Sequence, residues 1–211
     1  MGLFQTVLDN GLSRGHLPGK TQAARDWYRG TAKDFKGRIR GGDKRVDYGR
    51  DIDKNLMKDP ANEFVTRLVP GEMYMYYYDA KYKDTLPFWD RFPLIFPFRV
   101  KKDRFWALNL HYLPPQLRAA MMDSLYDFKT NDRYDESTKL KFSWKALNAM
   151  SGNKYFAPCV KQYLLSHVQS KFVKIPSESW DTALFLPTEK FSIPKSTVWS
   201  SSRSQLGIRR S

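Results

Sequence analysis

Glycine and proline divide this chain into two kinds of polymer. Nine of its 12 glycines lie in residues 1–59, and 11 of its 12 prolines lie from Pro60 onward. Glycine enlarges the set of conformations that folding must give up, and over residues 11–59 the apolar side chains occur singly or in isolated pairs, with no period of 2 or 3.6. Residues 1–59, with 13 basic and eight acidic side chains, therefore read as an extended basic arm, disordered on its own. Residues 195–211, with six serines, four basic side chains and no acid, read as a second, solvated tail. The core has to come from residues 60–194, which hold most of the aliphatic and aromatic side chains and a net charge of +5.

A chain of 211 residues has enough volume to bury roughly 70% of its unfolded surface. Its 41% hydrophobic and 15% aromatic content excludes wholesale disorder, and no apolar run approaches the length of a membrane-spanning helix. A net charge of +14 makes a polyanion, nucleic acid first, the partner to consider. Cys159 is the sole cysteine, so no intramolecular disulfide forms. Residues 1–10 have neither a basic start nor an apolar signal core, so the chain is expected to be made and kept in cytoplasm.

Within residues 60–194 the patterns are clearer. Residues 72–79 (EMYMYYYD) put Met73, Met75 and Tyr77 on one side and Tyr74, Tyr76 and Tyr78 on the other, the period of a strand. Residues 94–100 and 105–112 predict two more strands joined at the turn Lys101-Lys102-Asp103. In the second, Trp106, Leu108, Leu110 and Tyr112 share one face, with Phe105, Ala107, Asn109 and His111 on the other. Pro114 and Pro115 open a helix to about Phe128, and Asp135 or Ser137 caps a second, which stops before Gly152. A third is expected from Pro158, with Val160, Tyr163, Leu164, His167 and Val168 as its stripe, followed by strands at 172–175 and 182–186. The expected fold is α+β: a small antiparallel sheet or partly open barrel with three inserted helices, flanked by extended basic arms.

Catalytic constellations are hard to assemble. Gly15-His-Leu-Pro-Gly-Lys-Thr21 has three residues between its glycines where a phosphate loop needs four, and Pro18 removes an amide. His16, His111 and His167 lie far apart and share no ligand spacing with Cys159, so no metal and no cofactor is expected. His167 reads as a core or helix-end histidine, His111 as surface polar and Cys159 as a small buried apolar residue. Asp79, Asp84, Asp90 and Asp103, the acids a nuclease would use to hold Mg2+, read as solvated turn residues. Neither a nuclease nor a peptidoglycan hydrolase is indicated.

What remains is basic charge set among aromatics. Arg25, Arg29, Lys33, Lys36, Arg38, Arg40, Lys44 and Arg45 in the first arm, with Arg203, Arg209 and Arg210 in the last, suit a phosphate backbone. Trp27, Tyr28 and Phe35 suit pockets on a neighbouring protein, as anchors of a clamp on acidic surface. Both partners remain open on the residues alone.

Four phrases carry a resemblance: Pro87-Phe-Trp-Asp-Arg-Phe-Pro-Leu-Ile-Phe-Pro97, Asn109-Leu-His-Tyr-Leu-Pro114, Lys161-x-Tyr-Leu-x-Ser-His-Val168 and Trp180-Asp-x-Ala-Leu-Phe-Leu-Pro187. Over about residues 72 to 190 the chain resembles a virion protein of T-even-like tailed phages, myoviruses of marine bacteria and cyanobacteria, of the kind known as DNA end protectors. The resemblance implies a non-enzymatic structural protein of the virion, made in the host cytoplasm, that contacts and protects the ends of packaged double-stranded DNA near the head-tail junction. Its partners would be other phage structural proteins and double-stranded DNA, with no membrane and no small-molecule substrate. The alternative is a neck, tail or baseplate component whose arms clamp neighbouring virion proteins without touching DNA.

Overall fold

The computed structural model describes residues 3–14, 63–129, 145–149, 151–152, 154–176, 180–185 and 188–207. Among them six strands form one antiparallel open sheet: β1 (Glu63–Val65), β2 (Met73–Met75), β3 (Leu94–Val100), β4 (Arg104–Asn109), β5 (Val160–Leu164) and β6 (Phe172–Ile175), in the order β1-β6-β2-β3-β4-β5. Helices α1 (Leu3–Ser13), α2 (Pro115–Lys129), α3 (Trp180–Phe185) and α4 (Lys195–Gln205) accompany it. The fold is α+β, as the strand pattern of residues 72–112 predicts.

Alternation along β2 divides the core in two. Met73 and Met75 face the helices and join Leu8 of α1, Met121 and Met122 of α2, Trp180 of α3 and Val198 of α4. Tyr74, Tyr76 and Tyr78 face the other way, onto Phe105, Tyr163 and Phe172. The curl of the sheet covers this second face. Phe105 on β4 and Phe172 on β6 stand three strand positions apart, about 14 Å across a flat sheet, yet their ring centroids are 5.9 Å apart. The Tyr76 ring meets those of Tyr78, Phe105, Tyr163 and Phe172 edge-on at 5.0 to 6.2 Å, the preferred geometry for aromatic pairs. Residues 77–79 tie the curl shut: Asp79 N donates to His167 O at 3.0 Å and Gln169 N to Tyr77 O at 2.8 Å.

The β3–β4 hairpin forms at the predicted turn, where Lys101 N donates to Arg104 O at 2.8 Å. Pro97 has no amide to give a ladder, and the register slips between Pro97 and Arg99. The slip falls beyond the end of the β2 pairing, which reaches only Ile95, so no ladder bond to β2 is lost there.

Four expectations are corrected. The third helix is instead β5, flanked by the 3-10 turns Lys154–Cys159 and Leu165–His167. Its apolar stripe splits between the two core faces, Val160 packing on one and Tyr163 on the other, and five registered pairs hold it to β4. The strand expected at 182–186 is helix α3, whose Trp180, Ala183 and Leu184 are buried at i, i+3 and i+4. The tail at 195–211 is not extended throughout, because α4 docks Val198 and Ser202 into the core one turn apart. The first arm likewise begins as a helix: α1 packs Leu8 and Leu12 on the core, and Asp123 of α2 accepts a 2.9 Å hydrogen bond from Gln5 N, placing a carboxylate at its N-terminus. The first expected helix matches α2. Of the second, residues 145–149 are helical with Leu147 buried, and its start lies outside the described residues.

Candidate nucleic-acid interface

Most of the predicted contact residues lie outside the described residues: Arg25, Arg29, Lys33, Lys36, Arg38, Arg40, Lys44, Arg45, Arg209 and Arg210, the anchors Trp27, Tyr28 and Phe35, and the phosphate-loop near-miss at 15–21. Arg203 is described. It sits half-buried in the last turn of α4, and its Nε is shielded with no hydrogen-bond partner.

Among the described residues, one cluster of exposed positive charge lies on the β3–β4 hairpin, which the sequence identified as a turn and not as a contact surface. Arg99, Lys101 and Lys102 are exposed there. The Arg99 guanidinium and the Lys101 ammonium lie 5.7 and 5.5 Å from the Trp106 ring centroid, so cations and an aromatic share one strip. The turn's acid is neutralised locally, since Arg104 Nη2 donates to Asp103 Oδ2 at 2.6 Å. Asp79 is similarly paired with Lys83 at 3.1 Å.

Asp90 and His111 correct the expectation that one is a solvated turn acid and the other surface polar. Both are buried, at 3% and 0% exposure. Asp90 Oδ1 accepts from Phe92 N and Lys190 N at 3.0 and 3.2 Å, and its Oδ2 meets Asn109 Nδ2 at 3.1 Å and His111 Nδ1 at 2.6 Å. Burial alone would raise this carboxyl's pKa, but attraction to His111 and hydrogen bonds from His111, Phe92 and Asn109 outweigh it and hold the pKa below the usual value. His111 Nε2 faces Thr188 Oγ1 at 3.2 Å. This hydroxyl, imidazole and carboxylate have the connectivity of a nucleophilic triad, yet Thr188 is only 1% exposed and so presents no accessible nucleophile. The trio instead braces the sheet against the segment leading to α4. Next to it Arg118, fully enclosed, donates to Leu113 O and His111 O at 2.8 and 3.0 Å. Burial pulls its pKa down, against the opposing charges of Glu189 and Asp90.

Alongside this brace runs a cleft of about 600 Å³, between β5 and the segment 78–89. Its walls include Tyr82, Phe88, Tyr112, Lys161 and Tyr163, and Arg104 from the base of the hairpin. Lys161 Nζ stands 4.2 Å above the Tyr112 ring. His167 ends the 3-10 turn Leu165–His167 and not the helix expected there, its Nδ1 3.0 Å from Asp79 O, and Cys159 is buried as expected, with Sγ donating to Phe156 O at 3.0 Å. Among the described residues no group of three or more His, Cys, Asp or Glu is arranged to hold a metal ion, and no helix is long and apolar enough to cross a membrane.

The family model of the phage T4 terminal DNA protecting protein matches residues 40–205, which span every strand and helix described here except α1. No curated protein and no solved structure matches the chain. The match covers more than three quarters of the 211 residues and includes the brace, the hairpin and the cleft. The chain belongs to the phage T4 terminal DNA protecting protein family.

Proposed function

We propose that this protein binds the ends of packaged double-stranded phage DNA, near the head-tail junction of the virion, and shields them sterically from exonucleases without catalysing a reaction. Membership of a family of terminal DNA protecting proteins carries the proposal. The net charge of +14 supports it, because a chain that neutralises several phosphates gains affinity from counterion release without reading sequence. The exposed cations Arg99, Lys101 and Lys102 supply one such surface. Arg25, Arg29, Lys33, Lys36, Arg38, Arg40, Lys44, Arg45, Arg203, Arg209 and Arg210 would extend the phosphate contacts, while Trp27, Tyr28 and Phe35 would anchor the protein to neighbouring virion subunits.

The test is exonuclease digestion of linear duplex DNA with the full-length protein, across a salt series, beside a covalently closed circular competitor. Protection at physiological salt that the circle does not compete away, and that joint replacement by Ser of the eight arm residues from Arg25 to Arg45 weakens, is the expected result. Absence of protection would overturn the proposal and favour a neck, tail or baseplate component that binds only protein.

A further inference from the structure

We infer that the cleft between β5 and segment 78–89 seats a single nucleotide at a DNA strand end, its phosphate on Lys161 and its base against Tyr82. This assignment rests on the DNA-end function proposed above and names the part of the terminus that the fold would grip.

Lys161 is the principal reason. It projects from β5, the edge strand of the sheet, and no carboxylate pairs with its ammonium among the described residues; its contact is the face of Tyr112. Burial draws its pKa down, a cost that an arriving anion would offset. Asp90 also lines the cleft, but its two oxygens are already taken by four donors, so it offers a neutralised wall and not a competing anion site. The aromatic lining points to the other half of the ligand. Tyr82 is 60% exposed and Leu86 43%, so a planar apolar group has open surface to cover at the mouth. An acidic side chain would satisfy Lys161 and leave those groups wet, whereas a nucleotide brings a phosphate and a stacking base together.

Size and continuity favour a terminus over internal duplex. A cleft of about 600 Å³ falls in the range of small-ligand sites and cannot admit a double helix. Arg104 belongs both to its wall and to the base of the basic hairpin, so phosphates tracked by Arg99, Lys101 and Lys102 lead toward it.

The experiment titrates the full-length protein with 2′-deoxyadenosine 5′-monophosphate, deoxyadenosine and inorganic phosphate by calorimetry. Wild type is compared with Lys161→Met, which keeps the aliphatic packing, and with the surface variant Tyr82→Ala. The nucleotide should bind more tightly than either fragment. Lys161→Met should weaken nucleotide and phosphate about tenfold, and Tyr82→Ala should weaken nucleotide and nucleoside while sparing phosphate. A duplex with a short single-stranded overhang should displace the nucleotide and a closed circle should not; displacement by neither overturns the strand-end assignment. Nucleotide affinity that is absent, or unchanged in both variants, overturns the site, even if the wild-type protein protects DNA ends. Conversely, Lys161-dependent nucleotide binding without end protection would sustain the site and remove the proposed function.

Discussion

Asp90 Oδ2 lies 2.6 Å from His111 Nδ1, with both side chains shut off from solvent. The contact joins the turn before β3 to the 3-10 turn after β4, and Lys190 N brings the segment before α4 to the same carboxylate. Removing one member of a buried pair strands the other without compensation. Asp90→Ala is therefore expected to destabilise the protein by roughly 3–5 kcal/mol, read as a lower urea midpoint at neutral pH. A loss below about 1 kcal/mol, the scale of an exposed ion pair, would show that the pair does not brace the fold.

The same pair sets an acid limit. Burial would raise the Asp90 and Glu189 carboxyl pKa values. His111 and donor hydrogen bonds for Asp90, and Arg118, His111 and Lys195 for Glu189, reverse the direction and leave both lowered. A depressed folded pKa means that the unfolded chain binds the proton more readily, so this stabilisation is complete above the unfolded carboxylate pKa of about 4. It disappears as pH falls through the folded values. Urea midpoints are expected to hold from neutral pH down to about pH 5 and then to drop below about pH 4. Asp90→Asn, starting lower, should show the shallower acid slope.

Helix α4 makes a prediction that an extended tail would not. Trp199 Nε1 donates to His111 O at 2.8 Å, and the Arg118 guanidinium lies 5.2 Å from its ring centroid, so the helix is bolted to the brace. Trp199→Ala should cost about 2–4 kcal/mol, at or below the core-aromatic range because the ring is only half-buried. A change within about 0.5 kcal/mol, typical of a surface substitution, would contradict the docking.

Much of this was legible in the sequence where a single period dominates. The Met/Tyr alternation of 73–78 sorted the side chains onto the two core faces, and the Lys101-Lys102-Asp103 turn fixed the hairpin. Residues 160–168 misled because their apolar spacing fits 3.6 while a strand followed by a 3-10 turn distributes the same side chains over both faces. Serine content disguised α4, where a small side chain at Ser202 packs in the interior and its hydroxyl is satisfied by Val198 O at 3.0 Å. Leu8 and Leu12 stand one helical turn apart, a spacing too short to be distinguished from the unpatterned segment that follows it. The four phrases that carry the phage resemblance converge in space: Asn109 bridges Asp90 and Tyr163, and Trp180 packs edge-on against Phe96 at 5.1 Å. No periodicity could reveal that convergence, because it joins residues up to 84 positions apart, as Phe96 and Trp180 are.

Cys159 should be chemically silent in the folded protein. Burial pushes its thiol pKa up to about 12, against the nearby Lys161 charge, and the attacking species is the thiolate. Native protein at pH 8 is expected to resist a disulfide exchange reagent for hours and to release one equivalent of thiol on unfolding. Rapid native labelling would show that the 3-10 turn Lys154–Cys159 opens locally.

The hairpin prediction separates charge from fold. Arg99, Lys101 and Lys102 are exposed, and replacing all three with Ser removes only the surface contacts of Arg99 and Lys101 with the Trp106 ring, so thermal stability should change little. If each neutralises one phosphate, the slope of log K against log salt for duplex DNA should flatten by about 2.7, since each phosphate contact contributes about 0.9. Affinity at low salt should fall with it, equally for unrelated sequences, because phosphate contacts position a protein without reading bases. The measurement is fluorescence anisotropy with a labelled linear duplex over a salt series. An unchanged slope would move the DNA contact away from the hairpin and onto the arm residues, whose own Ser variants would then account for the whole salt dependence.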